Sequence, residues 1–336
     1  MKKIVIVTDA WHPQVNGVVR VTEAIERILK ARGYSVLIIH SGLFMSLPVP
    51  FYREITLALF PNNKVKRLIE DFAPDAVHLM TEGPLGWAAR AFCLRRGVPF
   101  TSWYHTHFDF YIDMRIPGLK RLVTARLRRF HNRAERTFVS TTSLQSDLVR
   151  EGFTKTAVVP LGVDTAFFVR NLAPAVPQLQ KPVYVFFSRL AVEKSPEEFL
   201  KLPLDGTKLV IGDGPDRAKL ERKYKGQAVF VGYRKRQELV DYLSIADAMV
   251  FPSRTETFGL AALEALSCGV PVAAHNVLGP KDIITEGKDG YLSDDLATAA
   301  QKCLTLNRED CRAKALEFSW DKSVDAFLKN LVLIEK

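Results

Sequence analysis

The sequence predicts an α/β protein made of two doubly wound parallel-sheet domains that face each other across a cleft. Three observations lead there. Short β-branched runs alternate with helical stretches along the chain, the pattern of repeated strand–helix–strand units. The alternation breaks once, over the proline-rich segment 170–182, and then restarts. The length, 336 residues, is about twice that of a common domain.

Residues 3–8 form an apolar strand ending at Asp9, followed by the loop Trp11-His12-Pro13-Gln14-Val15-Asn16-Gly17 and a helix from Val18 to Arg32. Further strands are expected at Val36–His40, Ala76–Met80, Phe100–Tyr104, Thr137–Thr141 and Ala157–Pro160. Helices separate them at Lys64–Phe72, Leu85–Arg96, Leu119–Glu135 and Leu144–Glu151. This gives a first Rossmann-like domain over 1–169 and a linker over 170–182. The second, over 183–306, has strands at Val183–Ser188, Lys208–Ile211, Val229–Val231, Ala248–Pro252 and Val272–Ala274. Its helices are placed at Pro215–Tyr224, Gln237–Ala246, Gly259–Ser267 and Leu296–Thr305. Residues 307–336 read as a helical C-terminal segment with Trp320, Val324, Phe327 and Leu331 on one buried stripe. Ligands of open α/β sheets bind beyond the carboxyl ends of the strands, so the working residues are sought in post-strand loops.

Hydrophobic residues make up 47% and charged residues 25%, with a mean hydropathy of +0.00, a composition that folds and buries a core. The longest apolar runs, Lys3–Val7 and Ala246–Phe251, fall short of the ~20 residues a membrane span needs, and no signal peptide is expected. Cys93, Cys268, Cys303 and Cys311 show no paired or metal-ligand spacing and read as buried thiols in a reducing cytoplasm. A net charge of +10 calls for a negative partner: nucleic acid, an acidic substrate or an anionic membrane surface.

The strongest local signal runs from Phe251 to Glu264, through Glu256, Phe258, Gly259 and Leu260, and has strand, loop and helix in order. Glu256 precedes the helix and Glu264 lies about two turns inside it, so the carboxylates stand on the order of 10 Å apart. Between them the opening amides of Phe258, Gly259 and Leu260 suit a phosphate. The plain alternative is a solvated acid at a helix start and a second acid on an exposed helix face. A second signal is Ser188-Arg189-Leu190-Ala191-Val192-Glu193-Lys194, directly after the first strand of the second domain. There Arg189 and Lys194 could neutralise a diphosphate, or could be solvated or paired with Glu193.

Together with Gly212-Asp213-Gly214-Pro215, Phe230-Val231-Gly232, Pro160-Leu161-Gly162-Val163-Asp164 and the N-terminal Pro-x-x-Asn-Gly-Val, these motifs resemble the retaining family-4 glycosyltransferases of the GT-B fold, over nearly the whole chain. Thr81-Glu82-Gly83-Pro84-Leu85-Gly86 and Tyr104-His105-Thr106-His107-Phe108 further resemble bacterial members that put mannose or glucose on membrane lipids, relatives of phosphatidylinositol mannosyltransferases and plant sulfolipid synthases. The resemblance implies that Glu256 binds the donor sugar's hydroxyls and Glu264 the ribose, with Phe258, Gly259 and Leu260 holding the distal phosphate and sugar. It makes Arg189 and Lys194 the diphosphate clamp, lets the backbone at Gly17 approach the same diphosphate, and places His105 near the reacting carbon. On this reading the first domain serves the acceptor and the second the nucleotide sugar. Where some mannosyl members carry an acid that reads guanine, this chain runs Tyr233-Arg234-Lys235-Arg236-Gln237-Glu238. UDP-glucose therefore stays open as donor, while the narrower resemblance favours GDP-mannose.

No cofactor or metal is expected. Gly212-Asp213-Gly214-Pro215 lacks the third glycine and distal acid of a dinucleotide fingerprint and reads as a tight strand-to-helix turn. His105 and His107 have no third ligand, and no Asp-x-Asp occurs. His12, His40, His78, His131 and His275 read as structural, and Glu82 as an acceptor contact or a helix cap.

From Met114 to Arg136 eight side chains are basic, Arg115, Lys120, Arg121, Arg126, Arg128, Arg129, Arg133 and Arg136, against the single acid Glu135. With Leu119, Leu122, Val123, Leu127 and Phe130 on the opposite face, the stretch reads as an interfacial helix that docks on anionic lipid, or as a solvated helix packed by its apolar stripe. Aromatic residues are not interleaved and no nucleic-acid motif is present, so no nucleic-acid partner is expected. The expected protein is a metal-independent retaining hexosyltransferase acting on a lipid or lipid-linked acceptor, cytoplasmic and peripherally held at the inner face of the membrane. A sugar-nucleotide epimerase and a non-catalytic basic membrane-surface module are the alternatives.

Overall fold

The computed structural model describes residues 2–14, 16–49, 52–113 and 116–335. They divide into two compact units, residues 1–161 with 320–336, and residues 162–319.

In the first unit β1 (Lys3–Thr8), α1 (Gly17–Ala31), β2 (Ser35–His40), β3 (Ser46–Val49), β4 (Tyr52–Ala58), α2 (Asn62–Phe72) and β5 (Ala76–Leu79) come first. They are followed by α3 (Pro84–Arg96), β6 (Thr101–Trp103), α4 (Phe108–Asp113), α5 (Lys120–His131), β7 (Arg136–Val139), α6 (Thr142–Arg150) and β8 (Thr156–Val158). The sheet is parallel, in the order β2-β1-β5-β6-β7-β8. Its central strands are apolar on both faces, Val5, Ile6, Val77 and Leu79 being fully buried, because helices cover both sides.

The second unit runs β9 (Val183–Phe187), α7 (Pro196–Lys201), β10 (Thr207–Ile211), α8 (Arg217–Lys223), β11 (Val229–Gly232), α9 (Arg236–Ile245) and β12 (Ala248–Phe251). Then come α10 (Leu260–Ser267), β13 (Val272–Ala274), α11 (Pro280–Ile283), β14 (Gly290–Leu292), α12 (Leu296–Cys303) and α13 (Arg308–Leu316). The strand order is β11-β10-β9-β12-β13-β14, again parallel throughout.

The units divide at Leu161/Gly162 rather than at the proline-rich segment, which belongs to the second unit. There the Asn171 side chain donates to Asp241 at 2.6 Å, and its backbone N–H donates to Ser244 at 2.8 Å. The C-terminal segment also divides. Helix α13 stays with the second unit, while the last helix, α14 (Trp320–Asn330), returns to the first. Val324 and Phe327 are fully buried on it and Trp320 only partly, while Leu331, expected on the same stripe, lies past the helix end, where residues 331–335 are not helical. Phe327 packs against His78, Phe138 and Trp103 at ring separations of 4.9, 5.6 and 6.3 Å. Arg32, just after α1, holds Asp321 at 2.9 Å and Asp325 at 2.5 Å.

Among elements not expected from the sequence is the antiparallel hairpin β3–β4, whose register pairs Leu47 with Leu57. All four cysteines are buried, and burial pushes each thiol up to about 12. Among the described residues no helix is long and apolar enough to cross a membrane.

Candidate functional site

In the second sheet the strand order reverses between β9 and β12, the position at which open α/β sheets bind ligands beyond the carboxyl ends of their strands. The β9 loop carries Arg189 and Lys194, and the β12 loop carries Glu256. The two loops meet. Lys194 Nζ donates to Glu256 Oε1 at 2.6 Å, with 19% and 11% of the two side chains exposed. Ser253 and Thr255 hydroxyls of the β12 loop donate to the Glu193 carbonyl at 3.3 and 3.2 Å, which fixes the turn that presents Lys194.

Beyond Glu256 the chain passes Phe258 and Gly259, and α10 begins at Leu260 with Gly259 as its cap. The first N–H groups of a helix have no intrahelical acceptor, and this end adjoins the Lys194–Glu256 pair in sequence. Glu264 sits just over one turn into α10 rather than the two expected, and it is buried, which removes the plain alternative of an acid on a solvated face. Gly279 backs the loop: at φ +87° an added Cβ would stand 2.5 Å from the Phe258 carbonyl oxygen and 3.0 Å from Glu256 Cβ. This support was not found from the sequence, although an isolated glycine before a proline marks a sharp turn.

Half-buried Arg189 rests on a second buttress. The Leu190 N–H donates to the Asp213 carbonyl at 2.9 Å, and the Asp216 N–H donates back to the Leu190 carbonyl at 3.0 Å. Gly212 allows this, since a Cβ there would fall 1.9 Å from the Ser188 carbonyl oxygen. Gly212-Asp213-Gly214-Pro215 is thus the tight turn expected, and it braces the arginine loop.

In the first unit the sheet order reverses between β1 and β5, and the loops after these strands interlock. Buried Asp9 accepts from Thr81 Oγ1 at 2.8 Å and from the Leu85 and Gly86 N–H groups at 2.9 and 3.4 Å, so it serves the start of α3. Burial raises its carboxyl above the ordinary range, against those hydrogen bonds. Glu82 therefore does not cap the helix. Its Oε1 lies 2.9 Å from Nε2 of buried His131, whose Nδ1 lies 2.9 Å from Ser102 Oγ. His105 stacks on Trp103 at 4.7 Å and 18°, and burial, with His131 adding, pushes its imidazole down to about 3. Gly17 is exposed as the first residue of α1, next to Asn16, whose side chain accepts from the Val19 N–H at 3.0 Å. Val15 of the same loop lies outside the described residues.

The other histidines sit in local contacts: His12 with Glu23, His40 stacked on Trp11, His78 with Thr101, His107 with Tyr104 and Asp109, His275 with Glu198. Among the described residues no three acidic, His or Cys side chains gather as a metal-ligand group.

The basic stretch is not one helix. Helix α5 spans Lys120–His131, Arg136 opens β7, and Arg115 lies outside the described residues. Leu127 and Phe130 are buried, but Leu122 is 68% exposed, so the expected apolar stripe is only partly covered. Arg121, Arg126, Arg128, Arg129 and Arg133 are all exposed.

Residues 15–167 match the family model for Glycosyltransferase Family 4, and residues 171–310 match that for Glycosyl transferases group 1. A GDP-mannose-dependent alpha-mannosyltransferase of Mycobacterium tuberculosis is 30% identical over 315 residues, covering 86% of this chain and 83% of that protein. A sulfoquinovosyl transferase of Arabidopsis thaliana is 32% identical, over 78% of this chain, which spans about half of that longer protein (55%). An alpha-monoglucosyldiacylglycerol synthase of Streptococcus pneumoniae is 25% identical over 94% of this chain and 82% of its own. Among solved structures, a sucrose-phosphate synthase of Thermosynechococcus elongatus superposes with a TM-score of 0.77 at 18% identity, covering 98% of both chains.

Proposed function

The chain belongs to glycosyltransferase family 4 and has the GT-B fold, so it is a glycosyltransferase, and on that premise we propose that it moves a hexose from a nucleoside diphosphate sugar to the hydroxyl of a membrane lipid or lipid-linked glycan. The observation that carries the reading is the contact between Lys194 and Glu256 at the switch point of the second sheet. A cation and an acid held together where an α/β sheet binds ligands match the two ends of a sugar diphosphate.

In the proposed reaction Lys194 and Arg189 hold the diphosphate and take up the charge that develops as the bond from sugar carbon to phosphate oxygen breaks. Glu256 turns from Lys194 to the sugar hydroxyls, and the amides of Phe258, Gly259 and Leu260 hold the distal phosphate and sugar. Buried Glu264 reaches the ribose. The acceptor oxygen bonds to the same face of the carbon, and its proton passes to the departing phosphate oxygen, which gives retention without a second carboxylate or a metal. On the first unit, taken by itself, neutral His105 offers a hydrogen bond rather than a charge, and Glu82 contacts the acceptor.

GDP-mannose is the favoured donor over UDP-glucose, supported by the mycobacterial relative's name. A lipid acceptor is supported by the streptococcal one. The exposed cations of α5 support docking on an anionic membrane surface, at its cytoplasmic face. The epimerase and non-catalytic readings gain no support from these relatives. The test incubates the protein with radiolabelled GDP-mannose or UDP-glucose and native membrane extract, with and without EDTA. Label entering the lipid fraction in both conditions is expected. Label that stays in nucleotide sugar or reappears as an epimer overturns the reading, and a strict divalent-metal requirement overturns the metal-free clamp.

A further inference from the structure

Helices α3 and α5 flank an open recess of about 540 Å³ whose charged lining is entirely arginine: Arg90 from α3, Arg128 and Arg129 from α5, and Arg133 just beyond it. Arg90 is only 8% exposed. It is fastened by the end of α5, its Nε donating to the Phe130 carbonyl at 3.1 Å and its terminal nitrogen to the Arg129 carbonyl at 2.8 Å. Its guanidinium also lies 4.9 Å from the Trp87 ring centre, a ring that Arg126 approaches at 4.7 Å.

Among the described residues no carboxylate comes within ion-pair distance of any of these arginines; Arg128 donates to a backbone carbonyl, that of Glu151, at 2.8 Å. Burial, and then Arg133 and Arg129, push the Arg90 guanidinium below its ordinary value. Cations gathered without a counter-charge repel one another, whereas Arg96, also exposed and near the end of the same α3, is paired with Glu70 at 2.7 Å. A fork-shaped cation held rigid by carbonyls and an aromatic face is suited to phosphate oxygens. Leu94 and Ala125 leave one part of the recess apolar.

We propose that the recess between α3 and α5 is a binding site for a phosphate ester, the phosphate of an anionic phospholipid headgroup. The proposal deepens the membrane-docking reading by naming what the α5 cations hold, and it depends on anion binding rather than on transfer.

The test compares the wild-type protein, Arg129→Gln/Arg133→Gln and Lys194→Ala at fixed ionic strength. Calorimetry measures binding of soluble glycerol 3-phosphate, and co-sedimentation measures binding to vesicles of phosphatidylcholine alone or mixed with phosphatidylglycerol. Both replaced arginines are exposed, so the variant should melt like the wild type. We expect it to bind both glycerol 3-phosphate and mixed vesicles at least about tenfold more weakly. Lys194→Ala should retain both, which separates this site from the diphosphate clamp. Loss of glycerol 3-phosphate binding with unchanged vesicle binding would support the phosphate site and assign it to a soluble ester. Unchanged glycerol 3-phosphate affinity in the arginine variant overturns the proposal, whether vesicle binding persists or falls through diffuse charge. The transferase reading is judged separately, by GDP and UDP titration of the same proteins.

Discussion

Lys194 and Glu256, 62 residues apart in the chain, share a hydrogen bond of 2.6 Å between Nζ and Oε1. Each therefore neutralises the other in a largely buried position, and a bound sugar diphosphate must offer both a new partner. Glu256→Gln should keep the fold and lower transfer by at least about a hundredfold. Lys194→Met leaves a partly buried carboxylate uncompensated and should cost about 3 kcal/mol, of which the double variant regains part. Urea unfolding with transfer assays checks both, and additive stabilities would show that the two side chains are not coupled.

The loop that carries Glu256 leans on Gly279. Gly279→Ala should cost about 2 kcal/mol, through strain at positive φ and a clash with the Phe258 carbonyl. It should also weaken nucleotide binding, because the clash displaces the Glu256–Phe258 backbone. Calorimetric titration with GDP and UDP reads the second effect, and full affinity in a destabilised variant would separate Gly279 from the site.

Glu82 and His131 form a buried contact at 2.9 Å. Glu82→Ala strands the His131 ring nitrogen and should cost about 2 kcal/mol, whereas Glu82→Gln keeps a partner and should cost under about 1 kcal/mol. If Glu82 also touches the acceptor, Glu82→Gln raises the KM for acceptor with stability nearly intact. An unchanged KM would leave Glu82 a purely structural residue.

The pH dependence follows from His105, whose folded value is about 3 against an ordinary 6.5. The unfolded chain takes up this proton near 6.5 and the folded protein only near 3, so its contribution is intact above 6.5 and is lost as the pH falls through that window. His78, pushed well below its ordinary value by burial and then by His105, acts with the same sign. Urea midpoints should fall between about pH 7.5 and about pH 5, and His105→Gln should flatten but not abolish the fall. An unaltered slope in that variant would show that His105 takes up its proton equally in both states.

Much of this was legible in the sequence. The buried parallel strands announce themselves as unbroken β-branched runs such as Ile4-Val5-Ile6-Val7, and the strand–loop–helix order around Glu256 is enough to place that acid in a post-strand loop. The hairpin β3–β4 is obscured in the sequence by Pro48, which argues against a strand although an edge pair tolerates it. Asp9 serving α3, Glu82 meeting His131 and Gly279 backing Phe258 depend on contacts between residues far apart in sequence, which no local periodicity encodes. The return of α14 was missed for the same reason: its buried stripe was evident, but not the sheet it would cover.

That return makes the second unit an insertion. The chain enters it at Gly162 and leaves at Ser319, where the Val163 N–H donates to the Phe318 carbonyl at 3.0 Å and Val163 bridges to Ser319. During synthesis on the ribosome the first sheet must therefore wait, without its Phe327 plug, until the entire other unit has emerged. A stop codon after Ser319 should damage the half of the molecule made earliest, while a fragment spanning 162–319 has its ends already side by side.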